Sequence, residues 1–199
     1  MTPKVICIRT GEKYGPEYVT HLYDGLIRHT TCPWNFQVIQ QSVFPGWWSK
    51  LLLFPPSERT IFLDLDVVLT GNVDFLFDYD GDFCIWGDPW NGKWNSSVMS
   101  IAPGFGTEVR DKFVKKDAQI MQAFYGDQEF LASVVPNADL WQTVAPGKVK
   151  SYKADHLEAG PGDASICVFH GDPKPATFLE GWVYEFWHQG RTRAAMAGV

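Results

Sequence analysis

The stretch "TIFLDLDVVL", residues 60–69, restricts the possible folds more than any other part of this chain. It is apolar on both alternating sides, as a strand buried on both faces of a sheet must be, and such strands belong to α/β folds with helices over the sheet. Within it stand Asp64 and Asp66, separated by Leu65. A carboxylate buried without a partner costs several kcal/mol. The pair is therefore expected at a strand end, where the chain leaves the sheet and where open α/β sheets bind ligands. If the chain bends there, two carboxylates at i and i+2 can converge on one cation, and their hard oxygens suit Mg²⁺ or Mn²⁺ holding a diphosphate; on the triplet alone a strand-end turn with solvated aspartates is an equal reading.

The rest of the pattern agrees with an α/β sandwich. "KVICIRT" (4–10) reads as a strand, and Tyr18, Leu22, Leu26 and Ile27 recur at helical spacing after it. "FQVIQQ" (36–41) is a second strand and "GWWSKLLLFPPSE" a helix stopped by Pro55 and Pro56. Residues 60–69 follow as one buried strand. "FCIW" and "SSVMSIA" predict two further strands, "TEVRDKFVKKDAQIMQAFY" (107–125) a long amphipathic helix, and "DQEFLASVV" a shorter one. "VKSYK" and "SICVFHG" (165–171) close the series as strands, before an aromatic tail with Trp182, Tyr184, Phe186 and Trp187. No repeat or low-complexity linker interrupts it.

Composition sets the remaining limits. A chain of 199 residues, 45% hydrophobic and 20% charged, can bury one substantial core. One domain is expected over 1–199. With a net charge of −6 and no Lys/Arg block, a nucleic-acid surface is excluded. Cys7, Cys32, Cys84 and Cys167 are not closely spaced and read as reduced thiols of a cytoplasmic protein, two distant disulfides being the alternative. No stretch approaches 18 apolar residues and the N-terminus has no cleavage region, so neither a membrane span nor a signal peptide is expected.

The segment "GWWSKLLLFPPSERTIFLDLDVVLTGNVDFLF" resembles the donor-site segment of GT-A fold glycosyltransferases, family 8 in particular. In that family a helix with a basic residue, here Lys50, leads into an apolar strand, the two aspartates and a glycine, here Gly71. "WNSSVMSI" (94–101) is similar to its Asn-Ser-Gly element, "GDQEFL" (126–131) to its Asp-Gln block, and "FHGDPKP" (169–175) to its His-x-Gly-x-x-Lys-Pro motif. The four fall in the family's order. The chain departs from the pattern at Ser97, Glu129, Ala132 and Ala176, positions that leave acceptor recognition the least transferable part.

The resemblance implies a single-domain GT-A-like α/β sandwich with a mostly parallel central sheet, a donor-binding core over about 1–175 and the aromatic tail over 176–199. It implies a metal-dependent transferase that moves a sugar from a nucleotide donor, a UDP-sugar by expectation, with retention, to a glycan, lipid or protein acceptor that the sequence does not identify. It implies that Asp64, Asp66 and His170 hold the metal, Mn²⁺ or Mg²⁺, and that Lys174 meets the departing diphosphate. Asp127 and Gln128 would line the reacting face, and Asn95 and Ser96 would touch the donor sugar. Arg9, Thr10 and Tyr14 lie in the first β-α loop, where base and ribose would sit, and Lys50, Leu65 and Gly171 complete the donor set. For Tyr14, stacking on uracil and simple packing are equally good readings; for Lys50, donor contact and a snorkelling structural role are. Two other functions stay open: a haloacid-dehalogenase-like phosphohydrolase with Asp64 as nucleophile, and a non-catalytic nucleotide-sugar or glycan-binding module.

Overall fold

The computed structural model describes residues 2–90 and 92–196; the end of the aromatic tail, 197–199, lies outside the described residues. The chain opens with strand β1 (Lys4–Ile8), helix α1 (Pro16–His29) and strand β2 (Asn35–Ile39), which runs parallel to β1. A 3₁₀ helix over Gly46–Leu53 leads to β3 (Thr60–Leu63), parallel to β1 on its other side. Next come β4 (Val67–Leu69), the short α2 (Phe75–Asp78), β5 (Phe83–Gly87) and β6 (Trp94–Ile101). Helices α3 (Thr107–Lys115), α4 (Asp117–Ala123) and α5 (Asp127–Val134) follow, then β7 (Asp139–Leu140) and α6 (Trp141–Val144). Strands β8 (Val149–Ser151) and β9 (Ile166–Val168) and helix α7 (Gly181–Met196) complete the chain.

Among the described residues the central sheet has six strands in the order β2-β1-β3-β6-β5-β7. Only β6 runs against its neighbours, so the sheet is mostly parallel. A second sheet, β4-β9-β8, lies beside it. Strand alternation divides the core into two layers. Val5, Cys7, Ile61 and Leu63 face α1, α7 and the small sheet, whereas Ile6 and Phe62 face the 3₁₀ helix and helices α3 to α5. Each of these large apolar side chains contributes about 1.5–3 kcal/mol by leaving water. No helix among the described residues is long and apolar enough to cross a membrane. No two of the four cysteines are joined.

Four elements differ from the sequence expectation. Residues 60–69 form two strands in different sheets, because the chain cannot keep Asp64 and Asp66 between two packed layers. The ladder of β3 ends with the Asp64 amide donating to Ser97 O at 2.9 Å, and Val67 pairs instead with Val168 of β9. The helix expected over 107–125 breaks at Lys116, whose φ/ψ of −141°/31° serve both flanking helices. Asp117 there accepts a hydrogen bond from the Ala118 amide at 2.7 Å, an aspartate competing with the helical ladder. Residues 46–53 adopt the tighter three-residue turn and not an α-helix. The aromatic tail coils into α7, whose Val183 and Trp187 are buried with α1 residues in the core.

Candidate active site

Asp64, Leu65 and Asp66 form the hinge between the two sheets. Successive side chains there point to opposite sides, so Leu65 is 2% exposed in the core while both aspartates line a cavity of about 360 Å³. That volume falls within the range of small-molecule sites. The cavity opens beyond the carboxyl ends of β1 and β3, where the topology places ligands.

Each aspartate has its own lysine. Lys50 Nζ donates to both carboxylate oxygens of Asp64, at 2.9 and 3.0 Å, and to Ser96 Oγ at 3.0 Å. Burial alone would drive the proton off this amine, but Asp64 and Asp127 outweigh it and hold the Lys50 pKa above its ordinary value. The 3₁₀ turn explains the placement, since side chains three apart eclipse. Trp47 and Lys50 share the cavity side, and Trp48 and Leu51 fill the core. Lys174, six residues after β9, donates to Asp66 Oδ2 and, at 3.0 Å, to Phe169 O. Tyr14 OH donates to the same Asp66 oxygen at 2.7 Å, and burial followed by the Asp66 charge pushes the phenol pKa up, so it remains a donor.

The polar wall comes from an irregularity in β6. Trp86 of β5 pairs with Asn95 and Ile85 with Met99, so residues 96–98 are extra on the β6 side. Such a bulge re-aims side chains. Here it turns Asn95, Ser96 and Ser97 into the cavity, with Asn95 Oδ1 accepting from the Ser97 amide at 2.9 Å. Opposite them, α5 begins at Gly126, and Asp127 and Gln128 in its first turn also line the cavity. Asp127 is 3% exposed and its Oδ2 is buried with no hydrogen-bond partner. Burial raises its pKa above the ordinary 3.8; Lys50, the Ser96 hydroxyl and the Gln128 amide pull it back only in part. An oxygen in that state is poised for a hydroxyl donor from outside the chain.

Strand β9 delivers His170 and Gly171 to the same cavity. His170 Nε2 lies 2.8 Å from Ser151 Oγ, its ring meets Trp90 edge-on at 4.5 Å, and burial lowers its pKa, leaving a neutral imidazole. Among the described residues no three His, Cys, Asp or Glu side chains are grouped so as to hold a metal ion. The donor chemistry nevertheless fits a hard divalent cation, with two carboxylates and an imidazole on one cavity.

Of the residues expected from sequence, the cavity also takes in Thr10 and Tyr14 of the first loop. Two are elsewhere. Arg9 donates from Nε to Tyr14 O at 3.0 Å and so braces the loop from behind, and the side chain of Leu65 belongs to the core. Sequence reasoning passed over Lys13, Trp47 and Tyr125, all three in the lining. The three-residue spacing from Trp47 to Lys50 was the available signal for the first aromatic, and the position of Tyr125 two residues before Asp127 for the second.

No protein-family profile matches the chain, and no curated protein is similar to it in sequence. Solved structures are similar in fold. The glycosyltransferase GlyE of Streptococcus pneumoniae TIGR4 superposes with a TM-score of 0.69 at 15% identity, over 94% of this chain and 60% of that one. WbbM, a bifunctional glycosyltransferase in its apo form, gives 0.68 at 9% identity, over 94% and 49%. The galactosyltransferase LgtC, in complex with donor and acceptor sugar analogues, gives 0.66 at 13% identity, over 98% of this chain and 95% of that one. The chain thus spans about 60% of GlyE and half of WbbM, but nearly all of LgtC. Its α/β architecture, with a mostly parallel six-stranded sheet, is the GT-A fold of these glycosyltransferases.

Proposed function

We propose that this chain is a metal-dependent glycosyltransferase of the family 8 type, moving a sugar from a UDP-linked donor to an acceptor with retention. One observation carries the reading: Asp127, with a partnerless buried oxygen, shares a cavity with two lysine-paired aspartates at the strand ends of a GT-A fold. The UDP donor and retention rest on the sequence resemblance.

The residues divide the work by charge. Lys174, with Lys13 beside Tyr14, supplies positive charge where a diphosphate would leave, a stabilisation made in the transition state. Asp127 and Gln128 would accept and donate hydrogen bonds to sugar hydroxyls, with Ser96 and Asn95 on the facing wall. Lys50 holds Asp64 in position through both carboxylate oxygens. Bound by Asp64 and Asp66, with His170 as third ligand once released from Ser151, Mn²⁺ or Mg²⁺ would neutralise the diphosphate oxygens. The test is release of nucleoside diphosphate from a panel of UDP- and GDP-sugars with Mn²⁺ or Mg²⁺ present. Turnover of a UDP-sugar that is lost in Asp127→Asn supports the reading, and a chain inert toward every donor, with or without acceptor, overturns it.

A further inference from the structure

Asp64, Asp66 and His170 line one cavity, yet as they stand they are not grouped closely enough to hold an ion. Each is already engaged by the chain itself: the aspartates by Lys50 and Lys174, the imidazole by Ser151. A diphosphate would offer the two lysines a second anionic partner and so loosen their hold. It offers nothing to Ser151, an uncharged hydroxyl with no exposed surface.

Ser151 is well placed to hold the ring. It ends β8, its strand pairs with β9 at Val168, two residues before His170, and its amide donates to Asp155 Oδ2 at 2.7 Å. The direction of its bond to His170 follows from counting protons. Ser151 Oγ accepts from the Ala154 amide at 3.0 Å, and its own proton, shut off from water, needs an acceptor. Among the described residues that acceptor is His170 Nε2, 2.8 Å away. The hydroxyl therefore donates, Nε2 carries a lone pair and no proton, and the ring proton sits on Nδ1. That lone pair is what a cation requires, and Ser151 occupies it. Aromatic rings complete the seat, with Trp90 edge-on at 4.5 Å and Trp86 at 6.0 Å. His170 lies beyond the last residue of β9, so its ring can turn without breaking a ladder hydrogen bond.

We propose that Ser151 is a positioning residue that parks His170 with Nε2 unprotonated and thereby sets how tightly the cavity takes up a divalent cation; this rests on the metal-dependent reading above. The same hydroxyl that selects the ligating tautomer competes for its lone pair, so uptake of the cation must give up one buried hydrogen bond.

The experiment measures Mn²⁺ affinity of the full chain, with and without UDP, from the electron paramagnetic resonance signal of the free ion. Beside it, nitrogen-15 NMR of the metal-free chain reads the His170 tautomer. In the parent, Nε2 is expected to be the unprotonated nitrogen. With UDP present, Ser151→Ala should bind Mn²⁺ about three- to tenfold more tightly than the parent, the size of one net hydrogen bond no longer given up. In a His170→Ala background the same substitution should change the affinity by less than about twofold, which separates the latch from a general effect on packing. Unchanged thermal melting checks that the variants fold. The inference falls if Nε2 carries the proton in the parent, if Ser151→Ala binds Mn²⁺ no more tightly than a parent that binds it, or if the gain persists without His170. Parent and variants that all fail to bind Mn²⁺, with or without UDP, would overturn the metal-dependent reading itself and this inference with it.

Discussion

Asp127 shows what a residue of this site gives up in stability. Its carboxyl is buried with one oxygen unpartnered, so the folded state favours the protonated acid and its pKa lies above 3.8. The sign follows from linkage: the native state binds the proton more tightly than the unfolded chain, so stability falls as pH rises from the ordinary value through the raised one. Asp127→Asn removes that penalty. It is expected to melt at a higher temperature than the parent at pH 7, with the gap closing below about pH 4, while sugar transfer is lost and UDP binding is kept. Equal loss of UDP affinity would place Asp127 in nucleotide binding. Lys174→Ala is expected to lower kcat by about 10²-fold or more, the size found when one group facing a developing anion is removed, with the fold intact by circular dichroism. Unchanged turnover would take Lys174 out of the reaction.

At the scale of elements, the site depends on short departures from regular structure: the hinge at 64–66, the 3₁₀ turn at 46–53 and the bulge at 96–98. Gly106, which starts α3 at φ 81°, is a support for them, because a Cβ there would lie 2.5 Å from Cδ1 of the fully buried Phe54 ring just after the 3₁₀ turn. Gly106→Ala combines left-handed strain with overpacking and should destabilise by about 2–4 kcal/mol, read by urea denaturation. A cost below about 1 kcal/mol would show that Phe54 yields easily. Periodicity made most strands and α5 legible, since their apolar spacing is imposed by burial. It could not show that residues 60–69 split between two sheets, because both halves are equally apolar and buried. Nor could it resolve the 3₁₀ turn from an α-helix over eight residues, or mark the bulge, whose Ser96 and Ser97 read as ordinary strand residues. Asp64 and Asp66 were legible because a charged side chain beside an apolar run needs a reason, whereas Lys50, Lys174 and Asp127 were legible only through the resemblance of the segments that carry them. Trp47 and Tyr125 were not, since in a chain with nine tryptophans an aromatic is first assigned to the core.

At the scale of the whole molecule, a cavity lies where the central sheet and the small side sheet meet, lined by Lys50, Asp64, Asp66, His170 and Lys174. In the free protein the lysines neutralise the aspartates, so a divalent ion alone must compete with two ammonium groups. Adding a diphosphate gives those lysines a second anionic partner. Metal and nucleotide should therefore strengthen each other's binding reciprocally. The most direct test is the melting temperature of the chain with UDP, with Mn²⁺, and with both. At about 100 times the dissociation constant the pair should stabilise by about 2.7 kcal/mol, a rise of roughly 5–11 °C for a chain of this size. Each component alone should give a small fraction of that, and Asp66→Asn should abolish the joint effect. No shift with UDP and Mn²⁺ together, or the same shift in Asp66→Asn, would contradict a nucleotide-sugar site at the paired aspartates.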